Sequence, residues 1–173
     1  SREVLGQLVA ARKKSNIRQD DLLDMLLDAR YEDGSGMSQE QLIDEILILF
    51  VAGHETTSNA LTFASQLLAQ HPEIQENIFN EVQKAVASTT DLMEILKACT
   101  YTKNVVEETL RMYPPAYFID RISVEADTFE GMNVPKNSNL LFSVLQIHND
   151  ASFWEQPELF NPARFSGVSP NTY

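Results

Sequence analysis

Histidine and cysteine are scarce in this 173-residue chain: it has His54, His71, His148 and a single cysteine, Cys99. One cysteine allows no intrachain disulfide and no multi-cysteine metal cluster. Positive charge is also short, with 13 Lys and Arg against 25 Asp and Glu, a net charge of −12. Residues 38–100 carry nine acids against Lys84 and Lys97. Nucleic acid is therefore excluded as a partner, because its phosphates demand clustered cations. A solvated acidic surface accounts for the balance, with steering of a basic partner as the sharper alternative. Long apolar runs are missing too. The longest, Ile46 to Gly53, lies between Glu45 and Glu55 and falls far short of the roughly 20 residues that span a bilayer. With no targeting segment visible, a soluble, cytoplasmic chain without a transmembrane segment is expected. It opens at Ser1 inside a helix-like run and stops at Tyr173 in a loop, so both ends read as cut.

What is present is 43% hydrophobic and 22% charged, a globular composition. Residues 1–37 read as helices and a linker. Val4, Leu5, Leu8 and Val9 share one helical side, Leu22, Leu23, Leu26 and Leu27 repeat at helical spacing after Asp20-Asp21, and 31–38 is turn-rich. Ser38 and Gln41 form a capping-box pattern, and no breaker follows until His71-Pro72, so 38–71 is expected as one long central helix. Residues 72–115 read as further helices ending at Pro114-Pro115, the first with Ile74, Ile78, Phe79, Val82 and Val86 as its apolar face. Short β-like runs separated by Gly131, Pro135 and Asn137–Asn139 make 116–145 a small antiparallel sheet. Residues 146–173 read as loop with one helical turn. The expected fold class is mainly α with a small antiparallel β-sheet, all within one domain.

The segment VAGHETTSNA, 51–60, is out of character in a long apolar helix. Ala52, Gly53 and Thr56 share a face, leaving a shallow dent with one hydroxyl at its edge. Gly53 costs roughly 1 kcal/mol relative to alanine inside a helix, and Glu55 is costly to bury ionised unless paired or wet. The preceding residues, Ile46 to Val51, are apolar all round, the mark of a buried helix. The spacing fits a proton-delivery site, and fits equally a close helix crossing with Glu55 in a structural ion pair. A zinc site of the H-E-x-x-H kind is excluded, because Ser58 stands where the second histidine belongs.

Ala52-Gly53-His54-Glu55-Thr56-Thr57 resembles the A/G-G-x-D/E-T-T segment of cytochrome P-450 haem-thiolate monooxygenases. Glu108 and Arg111 in EETLR resemble that family's E-x-x-R, and NPARF, 161–165, resembles its P-x-R-F. The three motifs occur in the family's order at family-like separations, and the resemblance covers nearly the whole chain. It implies that Ala52, Gly53 and Thr56 flank haem b, that Thr56 holds dioxygen and water in place, and that Glu55 relays protons. It implies a buried structural triad of Glu108, Arg111 and Arg164. Arg121 falls where the family commonly binds a haem propionate, and Ala116, Tyr117, Phe118 and Ile119 fall where its members line the substrate pocket. The implied reaction inserts one oxygen atom from O₂ into a hydrophobic or lipid-like substrate, with electrons from NAD(P)H through a reductase or ferredoxin.

The family's axial ligand, a cysteine in F-x-x-G-x-x-x-C-x-G, has no counterpart here. Cys99 lacks the flanking glycines and precedes E-x-x-R, so no metal ligand is assigned. The resemblance therefore implies an incomplete cytochrome P450 fold, an internal piece that is inactive without the thiolate. Two alternatives stand beside monooxygenation: other haem-thiolate chemistry, such as a peroxygenase or an isomerase, and a truncated, non-enzymatic helical interaction protein.

Overall fold

The computed structural model describes residues 2–15 and 17–167. The stretch 168–173, read above as loop, lies outside the described residues. The chain divides into two compact units, Ser1–Glu55 and Thr56–Tyr173.

The first unit contains α1 (Arg2–Ser15), α2 (Leu22–Asp28) and the opening half of α3 (Gln39–Gln70). Asp21 caps α2, accepting from the Asp24 N–H at 3.0 Å. Ser38 starts α3: its Oγ accepts from the Gln41 N–H at 3.2 Å while Gln41 Oε1 accepts from the Ser38 N–H at 3.0 Å, which satisfies two donors the first turn would otherwise leave open. Val9, Leu42 and Ile43 form the small core. Arg12 ties α1 to α2 by a bidentate pair with Asp21, 2.8 Å on each oxygen, and a third bond of 2.9 Å to the buried Asp24. Leu5, Leu8, Leu22, Leu26, Ile46, Leu49 and Phe50 line an open apolar hollow of about 300 Å³.

The apolar stretch of α3 differs from expectation. Ile48 and Phe50 are 61% and 65% exposed, and Leu49 and Val51 are exposed as well. A helix apolar all round needs cover on every side, and the described residues of this unit supply α1 and α2 alone.

The second unit takes the rest of α3, then α4 (Pro72–Ser88), α5 (Leu92–Ala98) and α6 (Thr100–Met112). Pro72 stands at the start of α4, where its missing N–H costs nothing. Ile74 and Ala85 are the buried residues of that helix, whereas Phe79 and Val86 of its apolar face stay exposed. The start of α6 is held from outside: the Glu81 carboxylate on α4 accepts from the N–H groups of Tyr101 (2.7 Å) and Thr102 (2.8 Å) and from the Thr102 hydroxyl (2.7 Å).

After α6 come two nested antiparallel ladders. β1 (Phe118–Ile122) pairs with β4 (Asn139–Ser143), and inside them β2 (Asp127–Phe129) pairs with β3 (Met132–Val134). The β2–β3 connection is a two-residue turn in which Glu130 and Gly131 have φ of 47° and 80°, the double positive φ that matches strand twist and suits glycine at its second place. A short α7 (Val144–His148) and a 3-10 turn (Pro162–Phe165) complete the unit. No helix among the described residues is long and apolar enough to cross a membrane.

Candidate functional site

On α3, Ala52, Gly53, Glu55 and Thr56 are all exposed. The buried dent read from the sequence is therefore open in this structure, for the reason given above for the neighbouring turn. A Cβ placed on Gly53 would meet nothing within 4 Å, so no neighbour among the described residues accounts for the missing side chain. Ala52, Gly53 and Glu55 belong to the first unit and Thr56 to the second.

In the second unit, Thr56, Thr57, Ala60, Leu61 and Ala64 form one side of an apolar trough of about 340 Å³, and Val106, Thr109, Leu110 and Pro115 form the other. The Thr109 hydroxyl turns away, donating to the Val105 carbonyl at 2.8 Å. Ala60 and Ala64 are one turn apart, so α3 offers a low, flat wall on which a planar apolar body can lie. Phe63 of α3 stacks in parallel on Tyr113, the residue that caps the end of α6, with ring centroids 4.3 Å apart.

The triad residues are brought together in full. The Arg111 Nε donates to Glu108 Oε2 at 2.7 Å and its Nη2 to Glu108 Oε1 at 2.9 Å. The Arg164 Nε reaches the same Oε1 at 3.2 Å, as does the Asn161 N–H at 3.0 Å. Glu108 is 0% and Arg111 2% exposed. One carboxylate facing two guanidiniums leaves a net positive charge, which would be costly to bury alone. Backbone carbonyls offset it: Arg111 donates to those of His148 (2.7 Å) and Pro157 (2.8 Å). Arg164 donates to those of Glu155 and Gln156, the latter at 2.6 Å. Trp154 covers the cluster, its ring 5.3 Å below the Arg111 guanidinium carbon.

Arg121 lies on β1 opposite Leu140, exposed, and its Nη1 donates to the Asp120 carbonyl at 2.7 Å. Ala116, Tyr117 and Phe118 follow Pro115 and are exposed, with the Tyr117 and Phe118 rings edge to face at 4.8 Å, and Ile119 is exposed beside them. Cys99 is buried at the α5–α6 junction, where its N–H closes α5.

Sequence reasoning missed His148, Trp154 and Asn161 as members of the cluster, and Glu81 as the cap of α6. Local spacing carries no signal for them, since His148 stands 37 residues from Arg111. The carbonyl acceptors have no sequence signature at all. The one available hint is the only tryptophan of the chain lying shortly before an arginine-bearing motif.

Residues 2–171 match the family model described as Cytochrome P450. The chain is 30% identical over 167 residues to cyclooctat-9-en-7-ol 5-monooxygenase of Streptomyces melanosporofaciens, covering 96% of this chain and 36% of that protein. It is 36% identical over 166 residues to cytochrome P450 4A14 of Rattus norvegicus, covering 95% and 32%. A solved structure of retinoic acid bound cyanobacterial CYP120A1 superposes with a TM-score of 0.89 at 33% identity, over 96% of this chain and 38% of that one. The chain thus spans about a third of the length of the relatives it matches.

Proposed function

The chain belongs to the cytochrome P450 family, and from that premise we propose that it forms part of the single catalytic domain of a haem-thiolate monooxygenase acting on a hydrophobic substrate. The observation that carries this reading is the combination on one helix of an unexplained glycine, an acid, a hydroxyl and a low apolar wall.

These residues are of the kinds that suit a haem. Ala52, Gly53 and Thr56 would lie beside it, the small side chains allowing close approach. The exposed Arg121 guanidinium suits a propionate, to which it can present a planar two-donor edge. When bound, a haem-thiolate group would supply the activation of dioxygen; its thiolate is not assigned to any residue of this chain. The chain's own contribution is proton management. The Thr56 Oγ1 is a donor and acceptor able to orient water at the wall, and Glu55, the preceding residue of the helix, would pass protons from solvent inward, each proton given up by the hydroxyl or its water being replaced from the solvent side. Glu108, Arg111 and Arg164 do no chemistry in this proposal; they brace the segment from α6 to the 3-10 turn.

The apolar Ala116, Tyr117 and Phe118 suit a hydrophobic substrate, and the retinoic acid held by the cyanobacterial relative is of that kind. NAD(P)H-derived electrons arriving through a reductase or ferredoxin belong to the same proposal. The test is Thr56→Ala in the complete protein. NAD(P)H consumption should continue while product per NAD(P)H falls several-fold, because a mispositioned proton diverts reducing power to peroxide and water. Unchanged coupling would overturn the role given to Thr56, and product formed without NAD(P)H at an unchanged rate would favour peroxygenase or isomerase chemistry.

A further inference from the structure

Arg111 and His148 hold each other twice. The Arg111 Nη1 donates to the His148 carbonyl at 2.7 Å, and the His148 Nδ1 lies 3.2 Å from the Arg111 carbonyl. A carbonyl oxygen only accepts, so the second contact requires the proton on Nδ1. The Arg111 carbonyl sits in the last turn of α6, where helical carbonyls have no partner within the helix. His148 closes α7, so the two helix ends meet at this pair. Trp154 backs both partners, its ring edge-on to the His148 ring at 6.0 Å and beneath the Arg111 guanidinium at 5.3 Å.

We propose that His148 is a positioning residue for Arg111, fixed as the Nδ1–H tautomer, whose ring closes the end of α6 while its own carbonyl sets the outer edge of the guanidinium. The Glu108 carboxylate takes the Nε edge. Glu108 therefore binds the Nε and Nη2 side, the His148 carbonyl fixes Nη1, and with both held the remaining Nη2 hydrogen is aimed at the carbonyls of Pro157 and Leu159. Burial and the proximity of the Arg111 charge favour the neutral ring, while the bond to the Arg111 carbonyl acts the other way; the net direction is below the ordinary 6.5, in keeping with a ring that works uncharged. The inference concerns the brace and holds whether or not the monooxygenase reading does.

The experiment is side-chain ¹⁵N NMR on the chain labelled at histidine and arginine. Three histidines give a simple spectrum, and the variants assign it. At pH about 8 the wild-type His148 should carry its proton on Nδ1. Exchange of the Arg111 guanidinium protons should quicken roughly tenfold in His148→Leu. In His148→Asn it should stay within about twofold, since an amide N–H attached to the same Cγ position can reach the Arg111 carbonyl. An Nε2–H tautomer in the wild type overturns the proposal, as does exchange that is equally fast in the Asn and Leu variants. Should His148→Leu not fold, the wild-type tautomer alone still decides.

Discussion

A buried carboxylate shared by two arginines is the most consequential single residue of the chain. Glu108→Gln keeps the shape but turns an N–H₂ toward guanidiniums that can only donate, so Arg111, Arg164 and the Asn161 N–H compete for one neutral oxygen. Breaking a buried pair in this way costs about 3–5 kcal/mol. Trp154, the only tryptophan and 7% exposed at the cluster, is a built-in reporter. Urea unfolding followed by its fluorescence should show a loss of that size, and a loss under about 1 kcal/mol would mean the cluster does not stabilise the fold. The motifs made these residues legible, because Glu108 and Arg111 are a helical turn apart and Arg164 sits in a recognisable pentapeptide. Their partners were not legible: a carbonyl is present at every residue, and only tertiary placement selects those of His148, Glu155, Gln156 and Pro157.

At the scale of elements, local chemistry was read well wherever a bond closes within a few residues. Ser38 with Gln41, and Pro72 at the start of α4, act as their spacing implies. What failed was burial. Periodicity reports which face of a helix is apolar, and it cannot report whether the chain supplies anything to cover that face, as Ile48, Phe50, Phe79 and Val86 show. The α1–α2 pairing offers a titration test. The Arg12 guanidinium, followed by the Asp24 N–H, holds Asp21 down to about 2 from its ordinary 3.8. A depressed carboxylate binds fewer protons folded than unfolded, so its contribution is complete above pH about 3.8 and is lost as pH falls through about 2. In Asp21→Asn, the helical signal of α1 and α2 in far-ultraviolet circular dichroism should lose stability at neutral pH, and the variant should lack this acid-limb change between pH 4 and 2. An acid limb identical to wild type would assign the transition to other carboxylates.

For the whole molecule, the balance is between a net charge of −12, which keeps chains apart, and apolar side chains in the open. Within the second unit Leu61, Val106, Leu110, Tyr117 and Phe118 are exposed, and within the first Leu8, Ile48 and Phe50 are. So many large apolar side chains in the open are unusual on a stable monomer. The chain should therefore enhance the fluorescence of an apolar dye and associate with rising concentration, more so in high salt, where a Debye length near 3 Å at about 1 M screens the acidic charge. A dye-silent, monodisperse chain in sedimentation at both salt levels would contradict this.

The stretch from His148 to Leu159 has few backbone bonds of its own, and five of its carbonyls point at two guanidiniums. It is folded in the manner of an ionophore, a ring of oxygens whose shape is dictated by the cation inside. Such a host can be emptied by competition from a chemically identical guest. Guanidinium ion should therefore open this loop at concentrations where urea of matched denaturing strength leaves it closed.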